Sequence, residues 1–428
     1  MDYAAARAFL DRLPRYEVKP GLERVRRLLD AVGRPERTSR AIHVAGTNGK
    51  GSVVAMLASV LHRAGFRVGR YTSPELVDFR DRVVVDGAWI SEEALALGVD
   101  RLQEAIDAGD PPSQFEAITA LAFDHFARLG VDLAVIEVGL GGRFDATNVV
   151  SPILTVLTNV TLDHQWILGE SLEEIAWEKA GIAKAGVPLI CGDLDPTVQR
   201  VVAAECARVG AEMLPSGTID VTAQETDWTS AHYTAGVSGR RLEIELPLPG
   251  RYQEENLRVV LRAVDALREK GLDIPDDAIV EGLREVTWPG RFEIVHRDPI
   301  IVLEGAHNPA GAERLAADIV ARVPDPARRH LLFGVLGDKN AREMLDVLGP
   351  AFGSIALCQS SSPRALPVTE LRQLTAARAL DTAWYHSVAE ALGGILPTLR
   401  EADVLVVAGS LTVVAEARQE LTEERWRR

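Results

Sequence analysis

Ala41-Ile42-His43-Val44-Ala45-Gly46-Thr47-Asn48-Gly49-Lys50-Gly51-Ser52 is the stretch that decides the fold. Residues 41–45 form an apolar run of strand length, and the spacing after the glycines predicts a helix from Ser52 to Ala64. Strand, glycine loop, lysine, serine and helix in that order are the context a phosphate loop requires. Glycines let backbone N–H groups point at phosphate oxygens, and a helix N-terminus adds positive potential. Lys50 would offset phosphate charge, and Ser52 can reach Mg²⁺. The pattern departs from G-x-x-x-x-G-K-[ST], because Gly51 intervenes between Lys50 and Ser52. An ordinary glycine-rich turn is the plain alternative; the five features together favour a nucleotide.

Outward from that loop the same unit recurs: a short β-branched run, a turn, then an Ala/Leu/Arg segment of helical spacing. Strands are expected at Val68–Tyr71, Leu133–Val138, Ile153–Thr158 and Val187–Cys191, with helices at Gln114–Leu129 and Leu172–Ala185. Thr218 to Pro249 alternates Thr, Val and charge, which predicts a small antiparallel patch. A second series follows, with strands at Ile300–Leu303, His330–Phe333, Ser354–Leu357 and Val404–Ala408 and a helix at Ala310–Val323. The expected fold is α/β: a P-loop-type, mostly parallel sheet with flanking helices, plus a second, smaller Rossmann-like α/β domain. Trp288-Pro289-Gly290-Arg291 is the best turn signal before the second series. It places the expected domains at 1–296 and 297–428.

Composition narrows the function. The 428 residues are 47% apolar and 25% charged, with a formal charge of −15. Such a chain is too apolar for disorder and too acidic for sequence-independent nucleic-acid binding. Local arginines and lysines can still hold small anions. Cys191, Cys206 and Cys358 form no C-x-x-C pair and read as buried thiols of a reducing compartment. The start, Met1-Asp2-Tyr3, has no basic stretch with an apolar run behind it, and Val404–Ala415 is too short for a membrane span. A cytoplasmic protein with small-molecule substrates, no nucleic-acid partner and no membrane partner is expected.

The loop and a series of blocks in order along the chain resemble the folylpolyglutamate synthase/dihydrofolate synthase family of the Mur ligase superfamily. The blocks are Gly21-Leu22-Glu23-Arg24, Tyr71-Thr72-Ser73-Pro74, Phe115-Glu116 with Thr119-Ala120, Glu137 to Arg143, and Asp145-Ala146-Thr147-Asn148. Leu162-Asp163-His164, Glu178-Lys179-Ala180-Gly181-Ile182 and Pro289-Gly290-Arg291 follow. Gly305 to Pro309, Asp338-Lys339, Pro363-Arg364-Ala365 and Gly409-Ser410 complete the series.

The resemblance implies an ATP-dependent ligase that adds L-glutamate to a folate, to dihydropteroate, or to both, through an acyl phosphate. It implies ATP contacts from Gly46, Thr47, Asn48, Gly49, Lys50, Gly51, Ser52, Asn256, Arg291 and Glu304. Mg²⁺ would be held by Ser52, and a second Mg²⁺ by Ser73, Glu137 and His164. Glu137 closes a strand before a glycine turn and is a hard oxygen ligand in its own right, with a plain surface carboxylate as the alternative. Lys179 beside Glu174 and Glu178 reads alone as part of a solvated charge cluster; the resemblance implies a carbamylated lysine that serves the metal. Arg291 is the phosphate-reaching arginine by the same resemblance, and Lys50, His164, Lys179, Arg291 and His307 are the expected catalytic set. Phe115, Glu116, Arg143, Asp145 and Ala146 fall where the pterin binds, and His307, Lys339 and Ser410 where glutamate binds. Phe115 also fits the apolar stripe of its own helix. A monomer is the family expectation; closure of the two domains on ATP is expected from the need to keep water off the acyl phosphate.

The chain departs from the pattern at several places. Glu75 and Tyr252 stand where histidine is usual, Glu304 replaces an aspartate, and Gln165 and Trp166 are uncommon after the Asp-His pair. None is a proposed metal ligand. Two other readings stay open: a paralogous ligase acting on a different carboxylate, and a non-catalytic ATP-binding protein.

Overall fold

The computed structural model describes residues 1–15, 21–376 and 382–422. Its chain forms two compact units. The first comprises Met1–Gln224, His232–Leu246 and Glu254–Val286; the second comprises Glu225–Ala231, Pro247–Gln253 and the chain from Thr287 onward.

The first unit is built on eight strands: β1 (Arg40–Ala45), β2 (Val68–Tyr71), β3 (Val83–Val85), β4 (Ala88–Trp89), β5 (Leu133–Glu137), β6 (Pro152–Leu157), β7 (Leu189–Cys191) and β8 (Met213–Pro215). They lie in the order β4-β3-β2-β5-β1-β6-β7-β8. The six strands from β2 to β8 in that order run parallel, and only β3 and β4 add an antiparallel edge. β1 is central and all but its first residue are buried, as a strand covered on both faces must be. Helix Lys50–Arg63 packs on β1, β2 and β5, and helix Asp276–Arg284 packs on that helix in turn. The second contact is backbone-close, since a Cβ at Gly282 would lie 2.6 Å from the Val60 Cα.

The expected antiparallel patch is present as β9 (Val221–Thr226), β10 (Ala231–Val237) and β11 (Arg240–Leu246), neighbours in chain order. Ser238 and Gly239 join β10 to β11 with φ of 49° and 76°, the two-residue turn that suits a right-twisted hairpin.

The second unit holds β12 (Glu293–Arg297), β13 (Ile300–Leu303), β14 (Arg329–Phe333), β15 (Ser354–Leu357), β16 (Thr382–Trp384) and β17 (Val404–Ala408), in the order β12-β13-β17-β14-β15-β16. All are parallel except β12, which runs antiparallel to β13.

That pairing moves the division expected at residue 296. Glu293–Arg297 is an edge strand of the second sheet, so the second unit starts at Thr287, before the expected boundary. Residues 247–253 also belong to it. Arg322 donates to the Pro249 carbonyl, and Asp318 accepts from the Arg251 amide at 2.8 Å. Helix Leu172–Ala180 is shorter than expected because the chain turns at Gly181, and β7 starts two residues late. All three cysteines are buried and free. Among the described residues, no helix is long and apolar enough to cross a membrane.

Candidate functional site

In the first unit, four segments leave the carboxyl ends of adjacent parallel strands β2, β5, β1 and β6: Ser73-Pro74, Val138–Arg143, Gly46–Ser52 and Thr158–His164. Ligands of open α/β sheets bind at that end. The glycine loop leads into helix Lys50–Arg63 as expected. Gly49 is its N-cap at φ 84°, a left-handed conformation that glycine adopts without a Cβ clash. A Cβ there would also lie 2.3 Å from the Asn256 Oδ1, so Asn256 sits directly on the loop.

The loop's shape is set by residues the sequence reading passed over. Asn159 Oδ1 accepts from the Asn48 amide at 2.9 Å, and Asn159 Nδ2 donates to the Asn48 carbonyl at 3.0 Å. Thr158 Oγ1 donates to that same carbonyl at 2.6 Å. Thr47 donates through its hydroxyl to the Thr161 carbonyl and accepts from the Thr161 amide, at 3.3 and 3.1 Å. The signal was a polar run, Thr158-Asn159-Val160-Thr161, directly after an apolar strand.

Two lysines converge on one carbonyl. Lys50 Nζ donates to the Gly46 and Thr47 carbonyls at 3.2 and 3.1 Å. Lys179 Nζ donates to the Gly46 carbonyl at 2.9 Å and is only 5% exposed. Lys179 is thus not part of a solvated charge cluster. Helix Leu172–Ala180 is capped by Ser171 and Glu174 in a reciprocal capping box, so Glu174 is occupied at the helix start. Lys179 is carried inward because the Glu137–Arg143 turn docks on the helix end. The Arg143 amide donates to the Glu178 carbonyl at 2.8 Å, and a Cβ at Gly142 would lie 2.8 Å from the Lys179 carbonyl.

Ser52 and Glu137 are buried. Glu137 Oε2 accepts from the Ser73 amide at 3.2 Å, which joins two of the expected metal residues. His164 has a left-handed backbone, φ 53°, and its amide donates to Asp163 Oδ1 at 2.8 Å. Among the described residues no group of three His, Cys, Asp or Glu side chains could hold a metal by itself. The Glu137 carboxylate and the Ser52 and Ser73 hydroxyls are hard oxygen donors of the type Mg²⁺ takes, and the His164 imidazole is not.

The pterin set has structural duties. Glu116 closes a capping box with Ser113 and pairs with Arg24 at 3.1 Å. Asp145 accepts from the Thr147 and Leu140 amides at 3.0 and 2.9 Å; burial pushes its carboxyl up while these donors oppose the shift. Ala146 is buried behind it. Arg143 pairs with Glu205 at 2.8 Å and lies over the Trp177 ring at 3.8 Å. Phe115 presses on the Gly139 backbone, where a Cβ would approach its ring to 2.5 Å.

In the second unit, 304–307, 334–339 and 409–410 follow the adjacent parallel strands β13, β14 and β17. Glu304 is buried and accepts from the Tyr252 hydroxyl at 2.7 Å. The two departures noted separately in the sequence are therefore one hydrogen-bonded pair. Arg291 Nη1 donates to the Gly305 carbonyl at 3.1 Å, and His307 Nδ1 lies 2.8 Å from the same oxygen. The Gly409 amide donates to the Ala306 carbonyl at 3.0 Å, which brings Ser410 beside this segment. The Ser410 hydroxyl accepts from the Val413 amide at 3.2 Å and serves helix Leu411–Thr422. Lys339 lies in the loop after β14, where its amide donates to the Leu336 carbonyl at 3.1 Å.

Comparison with known proteins shows the family and the fold. The Mur ligase middle domain matches residues 44–264, and the Mur ligase, glutamate ligase domain matches residues 290–411. The chain is 34% identical over 428 residues to the dihydrofolate synthase/folylpolyglutamate synthase of Bacillus subtilis, covering 98% of this chain and 99% of the relative. It is 38% identical over 429 residues to the probable bifunctional folylpolyglutamate synthase/dihydropteroate synthase of Haloferax volcanii, covering 98% of this chain but only 50% of that longer relative. The structure of Escherichia coli FolC in complex with DHPP and ADP superposes with a TM-score of 0.89 at 30% identity, covering 99% of each chain. The chain belongs to the Mur ligase family, in its folylpolyglutamate synthase/dihydrofolate synthase branch.

Proposed function

We propose that the chain is an ATP-dependent ligase that joins L-glutamate to a folate, and to dihydropteroate as well. The observation that carries the reading is the convergence of Lys50 and Lys179 on the Gly46 carbonyl, at the mouth of a glycine loop clasped by Thr158 and Asn159. Two ammonium groups held that close favour an anion between them. A buried and a half-buried cation beside a glycine loop that opens a helix are chemistry for a polyphosphate.

In the proposed reaction the pterin substrate's carboxylate attacks the ATP γ-phosphorus. An acyl phosphate forms and ADP leaves. The glutamate α-amine then adds to the acyl carbon, the tetrahedral intermediate collapses, and phosphate departs with the amide formed. Lys50 and Lys179 bring anionic reactants together, and Arg291 offsets charge that grows on the transferring phosphoryl group. His307, Lys339 and Ser410 are proposed to serve glutamate, and the segment from Phe115 to Ala146 the pterin. Mg²⁺ would sit with Ser52, Ser73, Glu137 and His164, and when bound it supplies charge neutralisation at the phosphates. Carbamylation of Lys179 is a finer proposal that competes with its role as a cation: it would turn the ammonium into an anionic carbamate that serves Mg²⁺ and leave Lys50 as the positive charge at the loop. The carbamate nitrogen keeps one N–H, so the bond to Gly46 survives the modification. A carbamate resonance after incubation with ¹³C-bicarbonate, absent in Lys179→Met, is the expected sign.

The test is ADP release with Mg²⁺ and ATP, glutamate being paired in turn with dihydropteroate and tetrahydrofolate, and products weighed by mass spectrometry. A glutamate-sized gain on both acceptors is expected. A gain on tetrahydrofolate alone leaves the tail-lengthening activity only, and no gain on either overturns the reading.

A further inference from the structure

Arg291 lies between two residues with left-handed backbones, Gly290 at φ 71° and Phe292 at φ 52°. For phenylalanine that conformation is strained, and it persists only where neighbours hold it. The neighbours are identifiable. Glu304 Oε2 accepts from the Phe292 amide at 2.9 Å and from the Tyr252 hydroxyl at 2.7 Å. The Gly290 amide donates to Glu293 Oε2 at 2.8 Å, and its carbonyl accepts from the Gly305 amide at 2.9 Å. Glu293 is itself fixed by Arg418 Nε at 2.9 Å. The buried Phe292 ring stacks on Trp228 with Arg322 over it, at 6.3 and 4.8 Å. Beyond the turn, the Arg291 guanidinium lies on the Gly305 backbone so closely that a Cβ there would be 2.4 Å from Nη1.

Glu304 is the keystone of this arrangement. It is 4% exposed, and one of its oxygens receives both donors. Without the phenol, that buried carboxylate would lose a charge-assisted hydrogen bond, and its grip on Phe292 would slacken. The Tyr252 hydroxyl is spent on Glu304.

We propose that Tyr252 and Glu304 are positioning residues for Arg291: the phenol orients the carboxylate, the carboxylate locks the Phe292 amide, and the locked turn aims the guanidinium. The proposal rests on the ligase reading above, in which Arg291 acts at the phosphates.

A double-mutant cycle between Tyr252→Phe and Arg291→Ala tests it, read by steady-state ADP release and product mass. Tyr252→Phe keeps the ring and removes only the hydroxyl. In the otherwise unchanged enzyme it should lower kcat by roughly tenfold with the KM for glutamate unmoved. In the Arg291→Ala background the same change should alter kcat by less than about twofold, because the group it positions is gone. Glu304→Gln, which keeps an acceptor oxygen for both donors, should retain more activity than Glu304→Ala. A Tyr252→Phe effect of equal size in both backgrounds overturns the proposal, as does an unchanged kcat. A wild-type enzyme that transfers no glutamate overturns the ligase reading instead, so the two failures are distinguishable. Thermal melts on each variant separate loss of fold from loss of aim.

Discussion

The Lys179 amine donates to the Gly46 carbonyl at 2.9 Å, across 133 residues of sequence. It anchors the helix after β6 to the first glycine of the loop after β1. Removing the amine with Lys179→Met leaves a buried carbonyl with one donor fewer and halves the local positive charge. ADP release should fall at least a hundredfold, and stability by about 1–3 kcal/mol. Thermal melting with the coupled assay separates the two effects; a normal turnover rate in a folded variant contradicts the role.

Gly49 should tolerate no side chain. Alanine there meets a left-handed φ, which costs about 1–2 kcal/mol, and an Asn256 oxygen 2.3 Å away. Calorimetric titration of Gly49→Ala should show ADP binding weakened by roughly tenfold or more. Adding Asn256→Ala removes the clash but not the backbone strain, so the double variant should regain only part of the loss relative to Asn256→Ala alone.

Glu137 gives the clearest metal test. Its carboxylate is 6% exposed and accepts from the Ser73 amide. Glu137→Gln keeps the shape and removes the charge. Half-saturating Mg²⁺ should rise by about an order of magnitude while ADP affinity without Mg²⁺ stays the same. An unchanged Mg²⁺ dependence would mean the ion is held elsewhere.

Acid should release Arg143. Glu205 accepts from Arg208 at 2.8 and 2.7 Å and from Arg143 at 2.8 Å, and these guanidiniums, Arg208 foremost, hold its carboxyl down at about 2. The folded value lies below the ordinary 4.5, so its stabilising contribution is complete above that pH and is lost as pH falls toward 2. Glu205→Gln should lower the melting temperature at pH 7 and flatten its fall between pH 5 and 2. Trp177 fluorescence should report the same window, since Arg143 lies on its ring.

What could be read from the sequence was local. The strand, loop and helix from Arg40 to Arg63 are contiguous, so glycine spacing and apolar periodicity were sufficient to place them. The alternation that predicted the 218–249 patch was equally short-ranged. Lys179 could not be placed that way, because its burial depends on the Gly142 turn docking from another strand. Asn159 was missed for the same reason: its partner, Asn48, is 111 residues away. The division expected at residue 296 missed an antiparallel edge strand, and no local signal shows that Arg322 would hold residues near Pro249. Tyr252 and Glu304 were each visible as unusual residues, but their pairing exists only in three dimensions.

The clasp of Thr158 and Asn159 on Asn48 also bears on the thermodynamics of ligand capture. Ordering a flexible glycine loop around a guest is an entropy debt normally settled at association. Here that ordering happens when the chain folds, so nucleotide arrives at a loop already held in shape. Asn159→Ala should therefore leave the enthalpy of ADP binding nearly intact while making its entropy less favourable, which is the calorimetric signature of preorganisation lost rather than of a contact removed.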